Sequence, residues 1–476
     1  MKIVYAASEA APFIKTGGLG DVAQALPLEL SQIPGVEVLL FLPYYGSMKR
    51  NPKLETEKVA EFRMPLSWRD QYVGLYRVRS RKRKLRVYLI DNESYFDREP
   101  IYGYGDDGER FAYFSKAILE SLCQMNLCPD IIHCNDWQTA LIPTLLHGFY
   151  EDFLGKAKTV FSIHNIEYQG WVHPYFLGDV LGLDVSYDNA FQFQGSHNFM
   201  KSAILSCDAL STVSRTYAHE ICDPYFAHGL DPIIREHAFK LKGIVNGIDF
   251  ASNDPKNDPF LERNYDASSF REGKAACKAA LQMELGLPVR EDVPLVGMVS
   301  RLVSHKGMEI LCAALEEWGD WDIQIAILGT GDPQYEEKIR ALAARFPTKI
   351  AAALCFSKDL ASRIYGGSDL YLMPSKSEPC GLSQLIAMHY GTVPVVHETG
   401  GLKDTVIPFD PQSGEGLGFT FSKFTKDDLH HALRRALTVF ACDRNAWGKA
   451  VYNGMTADFS WKNPALEYLS LYESLI

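Results

Sequence analysis

Apolar positions along this chain follow two rhythms. Short continuous runs rich in β-branched and aliphatic residues occupy 2–8, 36–43, 84–90, 129–135, 157–165 and 209–214. Between them lie longer stretches, such as 109–122, in which apolar positions recur at helical spacing. Continuous apolar runs of strand length suit a parallel sheet covered on both faces, and the periodic stretches suit its crossover helices. The alternation resumes at 293–300, 321–329, 349–356, 370–375 and 392–398. Separating the two series is a polar stretch, 251–266, in which Asn, Asp and Pro repeat, so a boundary falls near residue 250. The pattern predicts an α/β protein of two doubly wound Rossmann-like domains, 1–250 and 251–456, facing each other across a cleft. The remaining segment is 457–476.

Chemistry gathers where runs end. The first run leads into Lys15-Thr-Gly-Gly-Leu-Gly-Asp21, and a helical pattern follows at once. A glycine loop between strand and helix lets backbone N–H groups approach a ligand, and the helix N-terminus favours an anion there. Lys15 adds a movable positive charge, so the loop reads as phosphate-recognising. Gly18-Leu-Gly-Asp-Val-Ala23 also matches the dinucleotide pattern, which further requires a carboxylate closing the second strand. That strand ends Phe41-Leu-Pro-Tyr-Tyr45, and NAD is rejected. Two more strand ends carry His133-Cys-Asn-Asp136 and His164-Asn165 with Gln169. Either histidine also reads as a hydrogen-bonded structural residue, and Asp136 as a helix cap. His164 gains weight from Asn165 and Gln169, convergent polar groups that suit a sugar-sized ligand.

In the second series, Arg301 and Lys306 follow one strand, a pair suited to a diphosphate or to a solvated basic loop. The stretch Met373-Pro-Ser-Lys-Ser-Glu378-Pro-Cys380-Gly381-Leu382-Ser383 places one carboxylate in a loop and is expected to open a helix at Cys380-Gly381-Leu382. Glu378 reads as a group for sugar hydroxyls or for developing positive charge, or else as a first-turn acid on a helix dipole. Thr399-Gly-Gly-Leu-Lys-Asp404 repeats the form of the first glycine loop.

Composition narrows the classes. The chain has 476 residues, too many for one ordinary core, with 47% hydrophobic residues. Its net charge of −11 argues against general nucleic-acid binding. Ten scattered cysteines form no C-x-x-C pair, which speaks against a zinc or disulfide framework. No leader-like start and no apolar run of membrane-spanning length is apparent, so a cytoplasmic protein without a membrane partner is expected.

Together these motifs resemble the bacterial glycogen synthase and plant starch synthase family. The residues that carry the resemblance are the Lys15–Asp21 loop, His164-Asn165 with Tyr168-Gln-Gly170, Arg301 with Lys306-Gly307, Glu378-Pro-Cys-Gly-Leu382 and Gly400-Gly-Leu-Lys-Asp404. Phe459-Ser-Trp461 with Tyr468 and Tyr472 resembles the family's C-terminal end. The Glu-x₇-Glu pattern of many related sugar transferases is broken at Ile386, as in this family.

The resemblance implies a glycosyltransferase of the two-domain B type. It would move glucose from ADP-glucose to the non-reducing end of an α-1,4-glucan with retention, without cofactor or metal. Lys15, Gly17 and Gly18 would touch the donor, with Asp21 in the same loop. Arg301 and Lys306 would neutralise the diphosphate, aided by N–H groups at Gly381-Leu382-Ser383. Glu378 would hold glucose hydroxyls, with His164, Asn165 and Asp136 opposite. Asn246 and Cys380 would line the substrate, and Phe356 would lie under the adenine. The segment from 457 is implied to return to the first domain, and the two domains to close on the donor.

Overall fold

The computed structural model describes residues 1–79 and 84–476. Two compact units result: Met1–Asn246 with Trp461–Ile476, and Gly247–Ser460. The first unit thus resumes at Trp461, while the sequence placed the first boundary near 250 and the return from 457.

The strands of the first unit are β1 (Lys2–Ala6), β2 (Glu37–Pro43), β3 (Thr56–Leu66), β4 (Arg69–Val78), β5 (Arg86–Asp91), β6 (Ile131–Asn135), β7 (Lys158–Ile163), β8 (Trp171–Val172), β9 (Gln192–Phe193), β10 (Ser196–Asn198), β11 (Ala209–Thr212) and β12 (Leu241–Gly243). Nine of them form one sheet in the order β12-β11-β7-β6-β1-β2-β5-β4-β3, and β8-β10-β9 form a small sheet of their own. From β12 to β5 the large sheet is parallel. Its central strands are buried along nearly their whole length, as their continuous apolar sequences require.

The far edge departs from the expected all-parallel sheet. There β3 and β4 form an antiparallel hairpin, turning at Ser67 with φ 53°. Its burial alternates with a polar, solvated face, the signature of an antiparallel edge rather than a covered strand.

The second unit has β13 (Leu295–Val299), β14 (Gln324–Leu328), β15 (Ile350–Ala353), β16 (Leu370–Met373), β17 (Val393–His397) and β18 (Phe419–Phe421), all parallel in the order β15-β14-β13-β16-β17-β18. Every run expected in this half is a strand, and β18 is additional. Trp318, Leu311, Leu372 and Leu433 lie in its apolar core. The backbone enters and leaves this unit side by side, since Ile248 N donates to Phe459 O at 2.8 Å.

Four helices matter below: α1 (Gly18–Leu30), α2 (Ser383–His389), α3 (Gly400–Thr405) and α4 (Lys462–Glu473). Helix α4 packs on the first unit. Its Tyr472 hydroxyl meets Nδ1 of His133 at 2.7 Å, and Ser162 Oγ lies 2.6 Å from Nε2 of the same ring. Burial lowers the His133 pKa to about 3, with the nearby His164 adding to the effect. His133 is a structural residue.

Along its parallel strands each sheet reverses its order once, between β1 and β6 in the first unit and between β13 and β16 in the second. Doubly wound sheets bind ligands beyond the carboxyl ends of strands at such switch points. The loops that leave these four strands carry Lys15, Asp136, Arg301 with Lys306, and Glu378.

Candidate active site

After β1 the chain makes an irregular loop and enters α1 at Gly18, with Gly17 as an uncapped N-cap. Lys15 reaches Asp21 in the first turn of α1, with Nζ 2.7 Å from Oδ2 and both side chains near half exposed. Asp21 is therefore the partner of Lys15. Gly20 is needed at its place because a Cβ there would come within 2.9 Å of the Lys15 stem. Gly17 and Gly18 are exposed, and a Cβ on Gly18 would meet nothing within 4 Å.

A residue that the sequence reading passed over holds this loop. Glu9 is 3% exposed and accepts from Thr16 N at 2.5 Å and Thr16 Oγ1 at 2.7 Å. The N–H groups of Gly20 and Gly17 turn to the same carboxylate. Burial raises the Glu9 pKa, and these donors oppose the rise. The sequence reads this loop as phosphate-recognising, and on its inner side the donors, the Thr16 N–H and hydroxyl first among them, already have a partner. Those groups already face an anion, and it belongs to the chain.

Past β6, Asp136 sits at φ 55°, ψ −179°, a backbone region that strains any residue but glycine. Its carboxylate accepts from His164 N at 2.7 Å and Asn165 N at 3.3 Å, tying the ends of β6 and β7 together. Burial raises its pKa to about 7 against those two N–H bonds, and the Glu9 charge adds to the rise. The side chain of His164 is fixed from below. Asn135 Nδ2 donates to Ala6 O, so its Oδ1 accepts, taking Tyr5 OH and His164 Nε2 each at 2.9 Å. His164 is thus the Nε2–H tautomer, and burial lowers its pKa to about 4, leaving a neutral ring at pH 7.

The Asn165 side-chain Oδ1 accepts from Glu167 N at 3.0 Å. Gln169, expected among the sugar-facing groups, is instead buried. It donates to Ile166 O and His228 O and accepts from Asn198, so it braces its own loop. Asn246 ends the first unit 5% exposed, with its Oδ1 unpartnered among the described residues.

In the second unit Arg301 stands exposed after β13. Lys306 donates to Glu378 Oε2 at 2.6 Å, and Ser375 Oγ donates to the same oxygen at 3.1 Å. Glu378 is buried and Lys306 nearly so, with side chains 8% and 17% exposed. The sequence assigned these two residues to different ends of a donor; the structure pairs them. Gly307 allows this approach, because a Cβ there would come 1.9 Å from Pro374 O.

One expectation at this loop is corrected. Helix α2 begins at Ser383, not at Cys380, because Gly381 adopts φ 71°, outside helical space. The Gly400-Gly401 pair, which repeats the glycine-into-helix form of the first loop in sequence, does not repeat its surroundings. Gly401 N donates to Glu378 O and Pro379 O at 3.1 Å, and Cβ atoms at 400 and 401 would lie 2.0 Å from Glu378 O and 2.1 Å from Cys380 O. Those glycines let α3 press against the backbone that carries Glu378. Gln384 completes the brace, donating to Cys380 O, Gly381 O and Thr405 Oγ1. Cys380 is buried, while Gly381, Leu382 and Ser383 are partly exposed. The ring of Phe356, after β15, is 93% exposed.

Comparison with known proteins turns this arrangement into an assignment. The family profile "Starch synthase catalytic domain" matches residues 2–236, and "Glycosyl transferases group 1" matches 286–453. The glycogen synthase of Clostridium acetobutylicum is 46% identical over 483 residues, covering all of both chains. The chain belongs to the glycogen synthase family. The glycogen synthase of Ligilactobacillus salivarius is 44% identical over 480 residues, again with full coverage of both. Among solved structures, the catalytic domain of starch synthase IV from Arabidopsis thaliana bound to ADP and acarbose superposes with a TM-score of 0.91 at 34% identity, covering 99% of each chain. The chain is accordingly a glycosyltransferase, and its two α/β units are those of the B-type fold. In this family setting, the strand-end groups of each unit become candidates for handling donor and acceptor. Among the described residues, no group of three or more His, Cys, Asp or Glu is arranged to hold a metal ion, and no helix is long and apolar enough to cross a membrane.

Proposed function

We propose that the chain transfers glucose from ADP-glucose to the non-reducing 4-hydroxyl of an α-1,4-glucan, with retention at the anomeric carbon, in the cytoplasm. The observation that carries this reading is the likeness over 99% of both chains to a starch synthase catalytic domain bound to ADP and acarbose. Nucleotide diphosphate and oligosaccharide analogue on that relative correspond to donor and acceptor here.

The step breaks the bond between the anomeric carbon and the diphosphate and forms one to the acceptor O4. Negative charge collects on the departing phosphate while the sugar becomes oxocarbenium-like. Lys15 in the first unit, and Arg301 and Lys306 in the second, are the cations for that charge, and preorganised stabilisation of this kind is usually the largest contribution to catalysis. An ammonium has three donors, so Lys306 can hold Glu378 and still reach a phosphate oxygen. Lys306 and Ser375 both bond to Oε2 of Glu378, which leaves Oε1 for a glucose hydroxyl. Phe356 offers its open ring to the adenine, and the partly exposed N–H groups at Gly381-Leu382-Ser383 add to phosphate binding. Asn246 and Cys380 complete the set of residues proposed to contact substrate.

The sequence motifs offer no second carboxylate to pair with Glu378 in the manner of a retaining hydrolase. Front-face attack follows, with the leaving phosphate taking the acceptor proton and the His164 backbone carbonyl steadying the cationic sugar. These cations do the work a metal would otherwise do, and no cofactor enters the scheme.

The test is glucose incorporation into glycogen from ADP-glucose and from UDP-glucose, side by side, in the wild type and Lys15→Ala. Strong ADP-glucose activity, lost in the variant, is expected. Preference for UDP-glucose would overturn the donor, and a glucosyl ester trapped on Glu378 or Asp136 would overturn the front-face step.

A further inference from the structure

Helix α1 begins at Gly17 with no side-chain cap of its own. A helix start normally takes Ser, Thr, Asp or Asn at that position. Such a residue would bring a side chain to this point of the loop, where a Cβ would lie 3.6 Å from Glu9 Oε1. Here the cap comes from beneath. Glu9 takes two hydrogen bonds from Thr16, and the N–H groups of Gly17 and Gly20 point to it. The outer face of the loop is left as bare backbone, with open space over Gly18.

Burying a carboxylate in this way is costly unless donors converge on it. A neutral cap would hold the helix more cheaply, and stability alone does not call for this arrangement. What Glu9 adds is shape: one rigid acceptor fixes Thr16 by two bonds and lies directly beneath Gly17. Gly20 in turn packs on the Lys15 stem, so the origin of the Lys15 side chain is set from the same point.

We propose that Glu9 is a positioning residue for glucosyl transfer. Capping α1 from inside, it holds the loop so that Lys15 and the bare face of Gly17-Gly18 meet the donor in one fixed geometry. The inference rests on the reading of Lys15 as a donor-contacting group. Glu9 touches no substrate and acts through the loop.

The experiment is a double-mutant cycle in the full chain: wild type, Glu9→Gln, Lys15→Ala and the double variant, with kcat and KM for ADP-glucose and thermal unfolding of each. Glu9→Gln keeps the volume and removes the charge that binds the N–H groups. The expected loss is about a hundredfold in kcat/KM, chiefly in kcat, as for a displacement of about 1 Å near the reacting atoms. The same substitution should cost less than about threefold in the Lys15→Ala background, because two residues acting through one loop are not additive. Glu9→Asp, which keeps the charge, should recover part of the loss.

Glu9→Gln within about threefold of wild type, or a loss that multiplies in full onto Lys15→Ala, overturns the proposal. Wild-type activity in Lys15→Ala would instead strike at the reading of Lys15 and remove the base of the inference. Should Glu9→Gln fail to fold, Thr16→Val decides. A loss of about tenfold at unchanged unfolding temperature supports the proposal, and wild-type kinetics overturns it.

Discussion

Both units place a lysine–carboxylate pair just past a strand at the switch point of the sheet, yet the pairs live in different surroundings. Lys15 and Asp21 lie in the open, with side chains 48% and 41% exposed, six positions apart in one loop. Lys306 and Glu378 are 17% and 8% exposed and come from loops 72 positions apart. An exposed pair contributes about 0–1 kcal/mol and is easily exchanged for water or ligand. A buried pair is held by its desolvation, since loss of one partner strands the other charge. The first lysine can thus exchange Asp21 for a ligand, while the second is part of the frame that fixes a carboxylate. The glycines divide in the same way. Gly18 faces open space, whereas Gly400 and Gly401 face backbone.

The contrast breaks first at Glu378. Glu378→Ala should abolish measurable transfer and destabilise the second unit by about 3 kcal/mol, read as a lower urea midpoint. Lys306→Met with Glu378→Leu should recover the stability and none of the activity. An unchanged midpoint in Glu378→Ala would erase the distinction between the pairs. Lys15→Ala is next: about a hundredfold in kcat/KM, with unfolding temperature unaltered. Phe356→Ala should raise KM for ADP-glucose about tenfold with kcat kept, as expected for loss of one base-stacking ring. Asp21→Asn is the smallest, at most about 1 kcal/mol of stability, and it should shrink further in salt.

Acidity sharpens the contrast from another side. His133 and His164 have folded pKa values of about 3 and about 4, below the ordinary 6.5. Between pH 6.5 and 4 the unfolded chain binds protons that the folded chain refuses, so stability falls as pH drops through that window. Asp136, raised from 3.8 to about 7, runs the other way. Its folded form keeps the proton, and that contribution is present at low pH and lost as pH rises through about 7. Unfolding temperature should therefore rise between about pH 4 and 6.5 and level off above about 7, and Asp136→Asn, which removes the opposing contribution, should steepen the rise.

What could be read from the sequence follows from the range of each interaction. Buried parallel strands announce themselves by continuous apolar runs, and the two series are found where those runs lie. The β3–β4 hairpin was missed because its alternating pattern mixes with charge on the solvated face. Glycine pairs mark a close approach without saying to what, so 17–18 and 400–401 looked alike. Glu9 carries no spacing signal, because apart from the Thr16 hydroxyl its partners are backbone groups that any sequence would have. The Lys306–Glu378 pairing depends on β13 and β16 becoming neighbours, which no local pattern contains. The opening of α2 shifted to Ser383 because of one torsion, at Gly381.

The paired crossing at Ile248 and Phe459 has a consequence for taking the protein apart. The second unit is one unbroken stretch whose two ends meet, whereas the first is assembled from both ends of the chain. In modular terms the second unit is a cassette inserted into a host. A short bridge from Asn246 to Trp461 would close the host, and 247–460 could be produced as a separate polypeptide. The reverse dissection would leave the host in two fragments, with Tyr472 on one and His133 on the other.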